Sequence, residues 1–143
     1  MDQRRILFLC THNSARSQMA EGYLRAVAGK RFAVASAGTE ATRVHPFAIR
    51  VMAEIGVDLT GHTSKTVDTL LGQSWDWVIT VCDNANEHCP VFPGRTQRRH
   101  WGFDDPSQAT GTEEDRVAKF RRVRDEITTR IRTWLTEPEN TSA

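Results

Sequence analysis

Three cysteines, one arginine and one aspartate have the types and spacing for sulfur chemistry on a tetrahedral oxyanion. Cys10 and Arg16 bracket Thr11, His12, Asn13, Ser14 and Ala15, and Ser17 follows directly. The apolar run Ile6-Leu7-Phe8-Leu9 precedes Cys10. The segment therefore reads as a strand ending in a cysteine, a short polar loop, and a helix starting near Ser17. Backbone N–H groups of such a loop can converge on an anion, and the positive end of the helix faces the same point. Arg16 adds a planar fork that matches two oxygens of the anion. A free cysteine has a pKa of about 8.5, and surroundings of this kind lower it and favour the thiolate. Cys10 is thus a candidate nucleophile, with residues 11–17 as the substrate-binding loop. Asn13 suits a positive φ or bracing of the loop through its amide. Ser17 suits either a helix cap or a hydrogen bond to the thiolate. His12 is a weaker candidate for the base, because the helix end and Arg16 already favour the thiolate.

Gly102-Phe103-Asp104-Asp105-Pro106 places an acid before a proline, in an extended or turn conformation. Attack on an oxyanion creates a poor leaving group, and a carboxyl opposite the nucleophile can protonate it. Asp105 is the candidate acid and Asp104 the neighbour that competes for the assignment; a turn with capping acids is the plainer reading. Cys82 and Cys89 stand seven residues apart. On one helix they would lie about 10 Å apart along the axis, whereas a disulfide needs Cα atoms within about 7 Å. Asp83, Asn84, Asn86 and Pro90 make poor helix, so the segment can unwind at low cost. A zinc site from Cys82, His88 and Cys89 lacks a second closely spaced ligand pair, and two unrelated buried thiols are a further alternative.

The elements that must hold these residues alternate between strand and helix. Strands are expected at 4–9, 32–36, 77–81 and 97–101. Helices are expected at 17–28, from Pro46 to Gly56, and briefly at 66–72. Ala48, Val51, Met52 and Ile55 mark the inner face of the second. The last helix opens at a capping box, Thr112-Glu113-Glu114-Asp115. Its apolar stripe is Val117, Phe120, Val123, Ile127, Ile131 and Trp134. The pattern predicts one α/β domain over 1–135, a four-stranded parallel sheet with helices on both faces, and a flexible tail over 136–143. Ligands of such sheets bind at the carboxyl ends of strands. Cys10 and Cys82 both fall at such ends and meet if their strands are neighbours.

The chain has 143 residues, with 38% hydrophobic and 26% charged, which excludes a disordered class. Its 19 basic and 18 acidic residues nearly cancel, so neither nucleic acid nor an acidic membrane is an expected partner. Apolar runs are too short for a membrane span or a signal peptide. An odd number of cysteines argues against a disulfide framework. A cytoplasmic monomer without metal or cofactor is expected.

Together these residues resemble the thioredoxin-coupled arsenate reductases, whose fold is that of the low-molecular-weight protein tyrosine phosphatases. The resemblance runs from the Cys10 loop and Ser17-Gln18-Met19-Ala20-Glu21-Gly22, through Cys82 and Cys89, to His100-Trp101-Gly102-Phe103-Asp104-Asp105-Pro106 and Arg122-Val123-Arg124-Asp125-Glu126-Ile127. It implies a thiol relay. Arsenate, with phosphate or sulfate as mimics, sits in the loop. Cys10 attacks arsenic while Asp105 protonates the departing oxygen. Cys82 resolves the adduct, Cys89 resolves Cys82, and thioredoxin reduces the final disulfide. The position of a further loop cysteine in the family is Ala15 here. Some members hold potassium through residues matching Asn13, Glu21, Ser36 and an aspartate. That last position is Lys65 here, whose ammonium is expected to pair with Glu21 in place of the cation. The rival readings are a tyrosine or aryl phosphatase, which the loop alone would fit, and an arsenite-binding thiol module. Glutaredoxin or a small thiol are the alternative reductants.

Overall fold

In the computed structural model, residues 3–137 are described. Four strands, β1 (Arg4–Cys10), β2 (Phe32–Gly38), β3 (Trp77–Thr80) and β4 (Gln97–His100), form one sheet in the order β2-β1-β3-β4. All three pairings are parallel. The expected neighbours are therefore adjacent: Leu9 lies opposite Thr80, and the Val81 N–H donates to Leu9 O at 2.8 Å. The chain carries Cys10 and Cys82 out of the sheet side by side. β4 is the exposed edge on one side, where Arg98 and Arg99 discourage pairing with another chain.

Among the described residues four helices accompany the sheet: α1 (Arg16–Ala28), α2 (Pro46–Ala53), α3 (Asp83–Glu87) and α4 (Glu113–Leu135). α1 starts one residue before its expected first turn. Its flanking residue Ala15 offers no side-chain cap, so Ser17 is not the cap. Val27, at the end of α1, is 50% exposed, because the helix turns that position to solvent. α2 begins at Pro46 as expected, with His45 Nδ1 accepting from the Phe47 N–H at 3.0 Å. It stops at Ala53 instead of running to Gly56. Ile55 falls in the turn that follows and is exposed. The helix expected at 66–72 is a 3-10 turn at Val67–Leu70.

α4 realises its capping box through reciprocal bonds between Thr112 and Asp115. All six residues of its expected stripe are buried. Trp134 packs edge-on to Trp77 at 5.4 Å and against Phe32 at 5.4 Å, which ties α4 to the sheet. Phe120 meets Phe47 at 5.6 Å and ties α4 to α2. Truncating an aromatic anchor of this kind to alanine costs about 3–5 kcal/mol. Among the described residues no helix is long and apolar enough to cross a membrane. The tail expected from 136 onward lies outside the described residues beyond Glu137.

Candidate active site

The loop after β1 turns its carbonyls away from its own centre. Cys10 O accepts from the Thr39 N–H, and Thr11 O from the Glu40 N–H at 2.9 Å. His12 O accepts from the Thr42 and Ser64 hydroxyls, both at 3.0 Å. Asn13 O accepts from Gln18, Ser14 O from the His45 N–H, and Ala15 O from the Met19 N–H. With every carbonyl engaged outside, the peptide N–H groups of the loop are left available to form an anion nest. α1 begins at its rim with no acidic residue in the first turn. Its first N–H groups thus add positive potential to the same point.

Asn13 holds this shape. It is wholly buried, and among the described residues it is the one non-glycine with a positive φ, 49°. Its Nδ2 donates to Ser17 Oγ and Ser36 Oγ, both at 2.9 Å, and its Oδ1 accepts from the Lys65 N–H at 2.9 Å. Ser17 Oγ is occupied as an acceptor by Asn13, which leaves its own proton free for the Cys10 sulfur, whose pKa Ser17 lowers. Gly38 lets β2 approach from behind. A Cβ there would sit 2.6 Å from Thr11 O and 2.8 Å from Asn13 N.

Cys10 is buried at the floor of the nest. Its pKa is held well below the ordinary thiol value. The causes are a hydrogen bond from the Cys82 thiol, the Arg16 charge and the Ser17 backbone and side-chain donors, which together outweigh burial. The Cys82 thiol is pushed up for the complementary reason: it shares its proton with the Cys10 thiolate and is buried. The Thr11 hydroxyl lies 3.1 Å from Cys82 Sγ, and the Ala85 N–H donates to the same sulfur at 3.4 Å. Both oppose that rise.

Arg16 Nη1 donates to Phe103 O at 3.0 Å, and Nη2 lies 3.5 Å from Asp105 Oδ2. Its Nε is buried and has no partner, an orphaned donor that an oxyanion would satisfy. Asp105 takes the plainer of its two expected roles, that of a capping acid, and also faces Arg16. Oδ1 caps the 3-10 turn by accepting from the Ser107 N–H and hydroxyl, while Oδ2 faces Arg16. Burial raises its pKa, but the Ser107 bonds and Arg16 prevail and keep the carboxyl below its ordinary value. Asp104 points outward to Arg122 at 2.8 Å and to Lys119, which removes it as a competitor. His12 also points outward, 46% exposed and 3.4 Å from Glu40, so it is not placed as a base for Cys10.

The segment after Cys82 forms a single turn of helix, α3, with Cys82 Sγ as its cap and His88 closing it. Cys89 lies just beyond, half-buried, and burial pushes its thiol up against the opposing charge of Arg98. Among the described residues no three His, Cys, Asp or Glu side chains converge to hold a metal ion. The expected Lys65–Glu21 pair does not form: Glu21 meets Arg25 at 2.7 Å, one helical turn along α1, and His62 at 3.7 Å. Thr11 as a partner of Cys82, the buried Gln18, the partly buried His62 and the exposed Arg25 were not legible as site residues. Gln18, Glu21 and Arg25 do recur at helical spacing among the apolar residues of α1, and that stripe was the available signal.

A phosphatase-like nest closed by a strand, a helix and an acid loop defines a class of protein, and the family comparison agrees. Residues 5–142 match the low molecular weight phosphotyrosine protein phosphatase family, and the chain belongs to it. Within that family it is similar to an arsenate reductase of Halalkalibacterium halodurans, 51% identical over 134 residues, covering 94% of this chain and 96% of that one. A solved arsenate reductase in the oxidized state superposes with a TM-score of 0.77 at 31% identity, covering 92% of this chain and 95% of that one. A thioredoxin-dependent arsenate reductase of Corynebacterium glutamicum superposes with a TM-score of 0.70 at 26% identity, covering 98% of this chain and 64% of that one.

Proposed function

We propose that the protein reduces arsenate to arsenite through a relay of Cys10, Cys82 and Cys89, in the bacterial cytoplasm, with thioredoxin as the final reductant. The observation that carries this reading is that Cys10 and Cys82 leave the sheet at the ends of adjacent parallel strands, where each thiol shifts the other, Cys10 downward and Cys82 upward. A hydrolytic phosphatase needs the first thiol and has no use for the second.

Arsenate is held by the N–H groups of residues 11–17 and by the Arg16 fork, with the orphaned Nε taking one oxygen. The Cys10 thiolate attacks arsenic. Asp105, ionised in the resting enzyme, takes up the proton that the substrate monoanion brings and passes it to the departing oxygen, which leaves as water. Adduct formation also removes the negative charge from Cys10, which is the main reason that Cys82 retained its proton. Thr11 and the Ala85 N–H then favour the Cys82 thiolate, so the second nucleophile is released only after the first has reacted. Cys82 attacks the Cys10 sulfur. The S–As bond breaks, its electron pair stays on arsenic as arsenite, and a Cys10–Cys82 disulfide forms. Cys89 attacks Cys82 and frees the Cys10 thiolate. The short α3 must unwind for this step, which its Asp and Asn content permits. The last disulfide then lies at residues 82–89, where an external dithiol reduces it.

The nest fits phosphate as well as arsenate, so slow hydrolysis of aryl phosphates is an expected side activity. The cavity beside Thr11 and Asn84 is flanked by Glu40 and Asp68, whose carboxylates disfavour an anionic phosphopeptide. The deciding assay is arsenate-dependent NADPH oxidation with thioredoxin and its reductase, run beside glutathione with glutaredoxin. Turnover with the first pair supports the reading. Turnover only with the second replaces the reductant, and none with either refutes the activity.

A further inference from the structure

Six side chains behind the nest close on themselves. In one direction Asn13 Nδ2 donates to Ser36 Oγ at 2.9 Å, and Ser36 donates to Glu21 Oε1 at 2.5 Å. Arg25 Nη2 meets Glu21 Oε2 at 2.7 Å. In the other direction Arg25 Nη1 lies 3.3 Å from His62 Nε2, and His62 Nδ1 lies 2.9 Å from Gln18 Oε1. Gln18 Nε2 returns to Asn13 Oδ1 at 3.0 Å, with a further bond to Thr63 O. The donor inventory orients the whole ring. Arginine only donates, so His62 Nε2 accepts. Gln18 Nε2 faces two carbonyl oxygens, of Asn13 and Thr63, so its Oε1 is the acceptor and His62 Nδ1 carries the proton. His62 is thereby a neutral imidazole in a single tautomer. Burial, Arg25 and Lys65 hold it so, against Glu21 and Asp58.

We propose that Arg25 and His62 are positioning residues for the anion nest, acting through Asn13. The proposal rests on the reading of residues 10–17 as the substrate site. Neither residue is among the loop residues that face the anion. Asn13 sits at a φ that only a fixed side chain makes dependable, and its amide is what leaves the Ser17 proton free for Cys10. The two arms of the ring hold the two ends of that amide. Arg25 compensates Glu21, a carboxylate 5% exposed. Without the guanidinium, Glu21 loses its ion-pair partner and turns toward water, which releases Ser36 and then Asn13 Nδ2. Without His62, Gln18 loses the donor that orients its amide, and the hold on Asn13 Oδ1 loosens. Both losses broaden the geometry of the nest without removing any group that touches the anion.

The test is calorimetric titration of the reduced protein with inorganic phosphate, with steady-state arsenate kinetics on the same samples. Variants are Arg25→Ala, Arg25→Lys and His62→Ala, with Arg50→Ala as a control that breaks an exposed pair with Glu113. The Kd for phosphate is expected to rise about fivefold in Arg25→Ala and His62→Ala, the scale of one lost hydrogen bond. The KM for arsenate should rise with it by more than kcat falls. Arg25→Lys, which keeps the charge opposite Glu21, should recover most of the affinity, and Arg50→Ala should match wild type. If Arg25→Ala does not fold, His62→Ala and Arg25→Lys still carry the comparison. Folded alanine variants that bind phosphate within twofold of wild type overturn the proposal, as does a loss confined to kcat. A wild type that takes no phosphate overturns the nest itself.

Discussion

Replacing Arg16 with lysine separates the guanidinium fork from its charge. Arg16 places Nη1 on Phe103 O at 3.0 Å and Nη2 3.5 Å from Asp105, and leaves Nε buried and unpaired. Three nitrogens in one plane therefore face the acid loop and, in the proposed function, the anion together. A lysine has one nitrogen on a flexible stem and serves one of these directions at a time. One charge-assisted hydrogen bond to the anion is worth about 1.5–3 kcal/mol. Arg16 is largely buried, so little of this is screened by water. The Kd for phosphate should rise at least about tenfold, at 1.4 kcal/mol per decade. Charge develops further in the transition state, where losing one preorganised donor costs about 10²–10³ in rate. The two effects together predict a fall in kcat/KM for arsenate of at least about a thousandfold. Calorimetry with phosphate and initial rates with arsenate read the two contributions separately. A lysine variant that keeps phosphate affinity within about threefold refutes the claim that the fork is what holds the anion.

Three further outcomes follow from the same geometry. Cys89→Ser should release one arsenite per chain from the reduced protein and stop with a Cys10–Cys82 disulfide, with hydrolysis of p-nitrophenyl phosphate preserved; repeated turnover with thioredoxin would contradict the order of the relay. Gly38→Ala forces a Cβ to within 2.6 Å of Thr11 O, and should cost about 1–3 kcal/mol in urea unfolding and weaken phosphate binding; an unperturbed affinity would show that the loop tolerates the shift. Glu54, paired first with Arg121 and then with Arg124, has its pKa lowered from 4.5 to about 2. That pair stabilises the fold above the ordinary carboxylate pKa and the benefit is lost as pH falls toward 2. Glu54→Gln should be less stable than wild type at pH 7 by no more than about 1 kcal/mol, because water screens the pair, and the gap should close in acid; a gap that persists at pH 2 would assign the loss to packing.

Much of this site is legible in the sequence because its central part is contiguous. Residues 10–17 follow one strand and open one helix, so local rules suffice. α4 is legible for the same reason, through its capping box and apolar stripe. The meeting of Cys10 with Cys82 is legible only up to a condition, strand adjacency, that pairing across 72 positions decides. What sequence reasoning missed lies in side-chain choices made at a distance. Asp104 and Asp105 are equivalent until Arg122 and Lys119 draw one of them outward. Ser17 was free to be a cap until Asn13 claimed its oxygen. Lys65 was the expected partner of Glu21 by resemblance, yet Arg25 stood at i,i+4 on the same helix, the spacing at which helical pairs form. Ile55 carried the α2 periodicity one step past the point where the helix ends.

The most direct test of the relay is a disulfide map of the reduced protein after one equivalent of arsenate, by peptide mass spectrometry without reduction. A crosslink between Cys82 and Cys89, a free Cys10 and one arsenite per chain are the expected products. Arsenite appearing while residues 82 and 89 stay unlinked, or the same crosslink forming equally without arsenate, would contradict the account.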